Sequence, residues 1–482
     1  MQRVTVALGS NMGNRFQEIE QACVEMESAG MIITRTSGLW ETEAMYFLDQ
    51  DNFLNGVCEV WVRSGGPAEF LQKLQEIECK LGRVKFIDKG PRCIDLDILL
   101  WGGETVNLPH IPLTIPHKSI LEREFVLRPL CQLIPNESLP LPGPGGTFQA
   151  HLSRLENSTF AKNRSKNIPT MPISTQVPLY LGSTPLTPSL AKRRTRIMSI
   201  LNLTPDSFSD GGRHSAEDLI SLNDTITRHI KHGVSIIDIG GQSSRPGAKS
   251  ITSDEELSRI LPAIKLIRDI DAEIFEKKSR LANVTISIDT YRADVAKAAI
   301  EAGAHIINDI SAGTMDPDML STVAKLGCTY ILMHMRGTPE TMTLPENTTY
   351  EGDIIQIIGQ ELSARVAAAE KAGIRRWRMI LDPGIGFAKT GNQNLEILRR
   401  LSELRSFPGL QDMPWLVGTS RKGFIGKITG VKEAHERNWG TAATVTAAVQ
   451  GGADIVRVHD VDEMIKVVKV ADAIWRTRGV NP

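Results

Sequence analysis

The chain has 482 residues, 41% hydrophobic and 23% charged, with 40 Gly and 25 Pro; this composition excludes a disordered or fibrous chain, and the length predicts two or three folded units. Lys+Arg 55 against Asp+Glu 56 gives a formal net charge of −1, which lacks the broad basic field of a dedicated nucleic-acid binder. Aromatics at 5% also argue against extended base-stacking platforms.

Residues 1–140 predict strand, helix, strand, strand, helix, strand. The strands fall near 3–8, 32–41, 54–63 and 94–100, and the helices near 14–29 and 67–81. Phe70, Leu71, Leu74, Ile77 and Leu81 recur at helical spacing. That order is the ferredoxin-like α+β motif, with a further apolar helix over 120–133. Residues 141–196 follow, punctuated by Pro142, Gly143, Pro144, Gly145 and Gly146 and then by Pro169, Pro172, Pro178, Pro185 and Pro188. This composition predicts a linker without regular elements. It ends in Lys192, Arg193, Arg194 and Arg196, a solvated basic flank or a localisation or anion-binding signal.

From 197 to 482 strand and helix alternate. Strands are expected near 197–203, 236–240, 284–289, 305–310, 330–334, 379–382, 415–418 and 455–458. Several are continuously apolar, as strands buried on both faces are. About eight βα units predict an α/β fold of the TIM type, a closed (β/α)8 barrel, with an open doubly wound sheet as the alternative. The six cysteines, Cys23, Cys58, Cys79, Cys93, Cys131 and Cys328, form no CxxC pair. They read as scattered thiols in a reducing compartment. No apolar run reaches the roughly 18 residues of a membrane span, and the first residues read as a strand with no signal-peptide layout. The location expected is cytoplasmic, or mitochondrial if a targeting segment has been removed.

In such barrels chemistry collects at the carboxyl ends of the strands. Asn202, Ser244, Arg245, Asp289, Asn308, Asp309, His334, Asp382, Ser420, Arg421, Lys422, Arg457 and His459 all fall there. A single polar residue at a strand end is often a helix cap, but Arg, Lys and His are not N-cap formers. Arg245, Arg457, His459 and Asn202 suit a phosphate or pyrophosphate. Asp289, Asn308, Asp382 and Lys422 offer donors and acceptors for a polar heterocycle with a guanidine-like edge.

The run from Met198 through Asn202 to Gly212, with Gly241 to Gly247, Ser287 to Thr290, Asn308-Asp309, Asp382 to Phe387, Ser420-Arg-Lys422-Gly and Arg457-Val-His459-Asp, resembles dihydropteroate synthase over 197–475. The resemblance implies that Asp289, Asn308, Asp382 and Lys422 bind the pterin of 6-hydroxymethyl-7,8-dihydropterin pyrophosphate. It implies that Asn202, Arg245, Arg457 and His459 hold pyrophosphate and its Mg2+, with Asn202 a metal ligand. Ser244, Pro246, Phe387 and Ser420 would border p-aminobenzoate, which makes the barrel a sulfonamide target. Ser244 stands where the family often has Thr, and Ala388 where Gly is common.

In the first domain the sharpest motif is Gly90-Pro-Arg92-Cys-Ile-Asp95-Leu-Asp97-Ile-Leu. Residues two apart in a strand share a face. Asp95 and Asp97 thus present two carboxylates together, a site for Mg2+ on nucleotide phosphates or a solvated strand face. No GxxxxGK[ST] loop occurs. With Gly9-Ser10-Asn11, Trp40 to Ala44, Asn52 to Gly56 and Pro116-His117, the motif resembles 6-hydroxymethyl-7,8-dihydropterin pyrophosphokinase over 1–140. The resemblance implies that Asp95 and Asp97 bind two Mg2+ ions. Thr42 and Asn55 would hydrogen-bond the pterin, Phe53 and Phe125 would sandwich it, and Arg83, Arg92 and His117 would contact ATP. Lys85 and Lys89 lie in a short loop expected to close over ATP.

The product of the first implied reaction is the substrate of the second, so a bifunctional folate-biosynthesis enzyme is expected. Arg92, Asp95, Asp97, Asp289, Asp382 and Lys422 would carry the chemistry. Its partners would be small molecules, hydroxymethyldihydropterin, ATP and p-aminobenzoate, with no nucleic acid, and family likeness implies a homodimer through the barrel. The rivals are a pterin-dependent methyltransferase barrel and an inactive pterin-binding scaffold.

Overall fold

The computed structural model describes residues 1–45, 49–83, 90–108, 110–111, 113–141, 143–157, 167–173, 178–180, 194–203, 216–245, 247, 250–276 and 284–476. It divides into two compact units: Met1–Gly182 with Arg375–Trp377, and Ser183–Ile374 with Arg378–Pro482.

The first unit runs β1 (Gln2–Ser10), α1 (Arg15–Ser28), β2 (Ile32–Thr36), β3 (Leu39–Thr42), β4 (Phe53–Val62), α2 (Pro67–Lys80), β5 (Asp95–Trp101), β6 (Val106–Leu108), β7 (Leu113–Ile115), α3 (Glu124–Leu133), α4 (Phe148–Asn157), β8 (Ile168–Pro172) and β9 (Pro178–Tyr180). Strands β5, β1, β4 and β2 pair antiparallel in that order, the ferredoxin-like arrangement. Val4, Val6 and Leu8 of β1 pack with Ile19, Cys23 and Met26 of α1 and with Phe70, Leu74 and Ile77 of α2. Each fully buried large aliphatic side chain contributes roughly 1.5–3 kcal/mol. Val57 and Leu99 belong to a second cluster with Leu127 and Leu130 of α3 and Phe148 of α4.

Three expectations change. The strand predicted over 32–41 is two strands. The Ser37 hydroxyl accepts from the Val57 N–H at 2.9 Å, and the Gly38 N–H turns to Gln132 Oε1 at 2.7 Å, which interrupts the ladder. The helix predicted over 120–133 starts at Glu124, because Ile120 to Arg123 are taken up in turns on His117 and Ser119. The stretch 141–196, predicted to hold no regular element, contains α4, β8 and β9. Phe148 and Leu152 are buried, and Thr170 of β8 pairs with Leu39 of β3 while β9 pairs with β8. Proline removes a ladder donor, which matters least near the end of a sheet. Pro185, Pro188, Lys192 and Arg193 lie outside the described residues.

The second unit runs β10 (Arg196–Asn202), α5 (Ala216–Lys231), β11 (Ile236–Gly240), α6 (Ser253–Glu276), β12 (Thr285–Asp289), α7 (Ala293–Glu301), β13 (Ile306–Asp309), α8 (Met319–Leu326), β14 (Thr329–Met333), α9 (Pro345–Thr348), α10 (Ile354–Lys371), β15 (Met379–Asp382), α11 (Gly391–Arg399), α12 (Leu401–Arg405), β16 (Leu416–Val417), α13 (Gly423–Thr429), α14 (Asn438–Gln450), β17 (Ile455–Val458) and α15 (Val461–Trp475). The strands pair in parallel, β15-β14-β13-β12-β11-β10-β17-β16. A parallel bridge between Leu381 and Trp415, with the Leu381 N–H on the Pro414 carbonyl at 2.9 Å, joins the two ends. The sheet is therefore the expected barrel and not the open alternative.

Strand parity sorts the side chains. Ile237, Ile239, Ile286, Ile288, Ile307, Leu381, Val456 and Val458 pack among the helices. Their alternates, Asp238, Gly240, Asp289, Asn308, Asp382 and Arg457, face the barrel interior. The register sets Gly240 beside Asp289 and Asp289 beside Asn308.

Candidate active sites

At the barrel mouth Arg457 ties the acids together. Its Nη2 donates to Asp289 Oδ2 at 2.7 Å and its Nε to Asp238 Oδ2 at 2.6 Å. The same Asp238 oxygen accepts from Asn308 Nδ2 at 3.0 Å. Burial raises the Asp289 carboxyl above its usual range, although Arg457 pulls it down; burial likewise raises Asp382, against the Gly384 N–H bound to its Oδ1 at 2.7 Å. Lys422 is lowered, first by burial and then by Arg457, with Asp382 and Asp289 opposing. Its Nζ lies 4.1 Å from the Phe387 ring centroid, a cation–π contact. His459 Nδ1 and Ser420 Oγ are 3.0 Å apart. Burial, then Arg457, push His459 down to about 3. Its ring is therefore neutral near pH 7 and meets the Ser420 hydroxyl as a neutral hydrogen-bonding group.

Asn202 ends β10, and its Oδ1 lies 3.4 Å from where a side chain on Gly240 would begin. Ser244 is half-buried and Arg245 exposed, close enough to act on His459. Pro246 lies outside the described residues. Two members of the expected ring turn away, because each follows an inward or apolar neighbour by one residue. Asp309 accepts from the Tyr330 hydroxyl at 2.6 Å and the Ser311 and Gly313 N–H groups at 2.7 Å. His334 bonds Glu361 of α10 at 2.6 Å and Lys389 at 2.9 Å. Both residues fix loops behind the mouth.

Two residues escape a sequence reading. Lys389 is buried, and its Nζ bonds His334 Nδ1, the His334 carbonyl and the Phe387 carbonyl at 2.9, 3.3 and 2.9 Å. It anchors the turn that carries Phe387. Gly384 has φ 68°, and a side chain there would begin 1.9 Å from the His334 carbonyl oxygen, so that turn admits glycine alone. Asp238 is the other, a lone acid in an otherwise apolar strand; that isolation is its only sequence signal.

In the first unit, Asp95 opens β5 opposite Gly9, and Asp97 lies opposite Ala7. Asp95 takes Arg92 Nη1 at 2.8 Å and Arg83 Nη2 at 2.9 Å. Burial, then Asp95, raise the Asp97 carboxyl, with Arg123, Arg92 and Arg83 opposing. Two adjoining carboxylates under arginines fit a divalent cation whose remaining ligands come from phosphate and water. Among the described residues no group of three or more His, Cys, Asp or Glu able to hold a metal occurs. Glu78 supports Arg83 and accepts from the Leu96 N–H at 2.7 Å.

Asn55 Nδ2 donates to Thr42 Oγ1 at 2.6 Å, both buried. A side chain on Gly9 would begin 3.0 Å from Asn55 Oδ1 and 3.8 Å from Asp95 Cβ. Glycine thus lets the amide pair and the acidic pair approach. Arg92 lies over the Phe53 ring, 5.7 Å from its centroid, and Arg123 over Phe125 at 5.8 Å. Among the described residues no ring contact joins Phe53 to Phe125. His117 follows β7, its N–H on the Leu99 carbonyl at 3.0 Å; burial, then Arg123, lower its pKa. Lys85 and Lys89 lie outside the described residues. No described helix is long and apolar enough to cross a membrane.

Known proteins match both units. The family model described as pterin binding enzyme matches residues 198–459, and that described as 7,8-dihydro-6-hydroxymethylpterin-pyrophosphokinase (HPPK) matches 5–135. The chain is 44% identical to the folic acid synthesis protein fol1 of Pneumocystis carinii over 98% of its own length and 60% of that protein's. It therefore spans about three fifths of that relative. It is 40% identical to a mitochondrial folate synthesis bifunctional protein of Arabidopsis thaliana, covering 98% of this chain and 83% of that one. A structure of Plasmodium falciparum HPPK-DHPS with pteroate shares the fold, with a TM-score of 0.80 and 22% identity over 99% of this chain and 98% of the other. The chain belongs to the pterin binding enzyme family and, with its HPPK segment, to the folate synthesis bifunctional proteins.

Proposed function

We propose that the chain catalyses two consecutive steps of folate biosynthesis. Residues 1–140 transfer a pyrophosphoryl group from ATP to 6-hydroxymethyl-7,8-dihydropterin, and 197–482 condense the product with p-aminobenzoate. The observation that carries this reading is the occurrence, on one chain, of both family matches, each around its own cluster: Asp95 with Asp97 in the first, and Asp289, Arg457, Asp382 and Lys422 in the second.

In the first step the hydroxymethyl oxygen bonds to the β-phosphorus of ATP, the bond between the α- and β-phosphoryl groups breaks, AMP leaves and the hydroxyl proton is lost. Asp95 and Asp97 would hold Mg2+, which supplies charge neutralisation on the phosphates. Thr42 and Asn55 fix the pterin edge, and Phe53 and Phe125 stack on its faces. Arg83, Arg92 and His117 contact ATP. Catalysis is mostly positioning.

In the second step the carbon–oxygen bond to pyrophosphate breaks and the aryl amine bonds to that carbon, losing a proton. Asp289 and Asp382 stabilise positive charge on the ring, with Asn308 and Lys422 completing its polar edge. Arg245, Arg457 and His459 receive the departing pyrophosphate, and Asn202 would help hold a Mg2+ that neutralises its charge. Ser244, Phe387 and Ser420 border the aryl amine. No enzyme nucleophile is required. The Ser420 to Lys422 segment and Arg457-Val-His459 favour this reading over a methyltransferase, and the intact acids favour it over a scaffold.

The functional unit in this reading is a homodimer through the barrel. Support comes from Ile428 of α13, Trp439 of α14, and Val470, Ile474 and Trp475 of α15, all exposed, with Trp439 at 89%. Six free thiols support a reducing compartment, the cytoplasm or, if a targeting segment is removed, the mitochondrion. Separate assays test the two halves. The chain with ATP, Mg2+ and hydroxymethyldihydropterin should form AMP, and with the pyrophosphate ester and p-aminobenzoate it should release pyrophosphate. Failure of either refutes that half.

A further inference from the structure

Asp238 lies within β11, facing the barrel interior with no exposed surface. Its Oδ1 has no partner among the described residues. Both its hydrogen bonds converge on Oδ2, from Arg457 Nε at 2.6 Å and Asn308 Nδ2 at 3.0 Å. The two donors stand on β17 and β13, each two strands away on opposite sides. Asp238 is one side-chain layer below Gly240, which is in register with Asp289.

We propose that Asp238 is a positioning residue of the barrel reaction: one carboxylate oxygen sets both the amide face that Asn308 turns to the pterin and the direction of the Arg457 guanidinium. The proposal rests on the reading of the barrel mouth as a pterin pyrophosphate site. An asparagine side chain offers donors at one end and an acceptor at the other, whereas an ionised carboxylate only accepts. Asp238 therefore holds Asn308 with Nδ2 inward and Oδ1 turned away. That end is the acceptor which the N–H groups of a guanidine-like edge need. With Nε committed to Asp238, the Arg457 plane is fixed so that Nη2 meets Asp289, and Nη1 stands outside both bonds. Charge-assisted hydrogen bonds hold such geometry more firmly than neutral ones. An amide at 238 would accept less strongly, and would also donate to Asn308 Oδ1 and favour the flipped, donor-presenting state.

The test compares the full-length parent with Asp238→Asn in steady-state dihydropteroate formation from the pterin pyrophosphate ester and p-aminobenzoate. The pterin ester KM should rise by about tenfold or more, with the p-aminobenzoate KM changed by less than about twofold. Asn308→Ala should raise the same KM, and the double variant should lose less than the product of the single losses. Both KM values within about twofold of the parent, equal rises in both, or fully multiplicative losses would each overturn the proposal. If Asp238→Asn does not fold, Asp238→Ser, which keeps one acceptor in less volume, carries the same expectations. Failure of both to fold would assign Asp238 to barrel stability and overturn the positioning role. A parent that makes no dihydropteroate refutes the site reading itself, a result distinct from an active parent with an indifferent variant.

Discussion

The Tyr350 hydroxyl donates to the carbonyl oxygen of Ala388 at 3.1 Å. Ala388 has φ 49°, a left-handed conformation that costs an L-residue about 1 kcal/mol. The bond from Tyr350 and the Lys389 anchor next to it hold the strained turn, which also carries Phe387. Ala388→Gly should therefore cost no more than about 0.5 kcal/mol, relief of strain offsetting most of the loss of a buried methyl and the added chain entropy. Tyr350→Phe should cost about 1 kcal/mol. Urea unfolding followed by tryptophan fluorescence measures both. A loss of about 1.5 kcal/mol or more for Ala388→Gly, the full cost of methyl and entropy, would mean that the turn is not strained.

His334 gives a pH signature. Burial, then Lys389, push it down to about 4 from 6.5. Between those values the unfolded chain binds a proton that the folded chain does not. The neutral histidine's contribution is thus complete above pH 6.5 and is lost as pH falls towards 4. One proton corresponds to about 1.4 kcal/mol per pH unit. The stability advantage of the parent over His334→Gln should shrink at up to that rate below pH 6.5. A constant difference from pH 7 to pH 5 would show that His334 titrates normally.

The exposed apolar residues of α13, α14 and α15 bear on assembly. Trp439→Glu places a charge on the most exposed of them and should shift the chain to monomer at micromolar concentration. Sedimentation velocity measures the change. An unaltered coefficient, or a parent already monomeric, contradicts a dimer through this face.

Ser244 borders the proposed aryl amine pocket. Ser244→Ala should change the ratio of the sulfonamide inhibition constant to the p-aminobenzoate KM by roughly threefold or more, since a site hydroxyl discriminates between acceptors. An unchanged ratio would remove Ser244 from the pocket.

Much of this architecture is legible in the sequence because period and strand ends carry it. Asp289, Asn308, Asp382 and Arg457 are readable as strand-end polar residues, and the structure joins Asp289 and Asn308 through Arg457 and Asp238. Strand-end position alone does not give facing: His334 and Asp309 lie at strand ends yet point outward, since a shift of one residue changes the side of the sheet. Asp238 is hidden for the opposite reason, being one acid among isoleucines whose partners are distant in sequence. The helix at Phe148 and the strands at Ile168 and Pro178 are masked by proline and glycine, although pairing to β3 provides the ladder that local composition disfavours.

The central claim is that one chain performs both reactions at separate sites. The direct measurement is dihydropteroate formation from ATP, Mg2+, hydroxymethyldihydropterin and p-aminobenzoate, with parent and Asp97→Ala side by side. The parent should make dihydropteroate. The variant should lose it by on the order of 100-fold or more, as for removal of a metal ligand, and should match the parent when the pyrophosphate ester is supplied. A parent that makes no dihydropteroate, or a variant equally inactive on the supplied ester, would contradict the account.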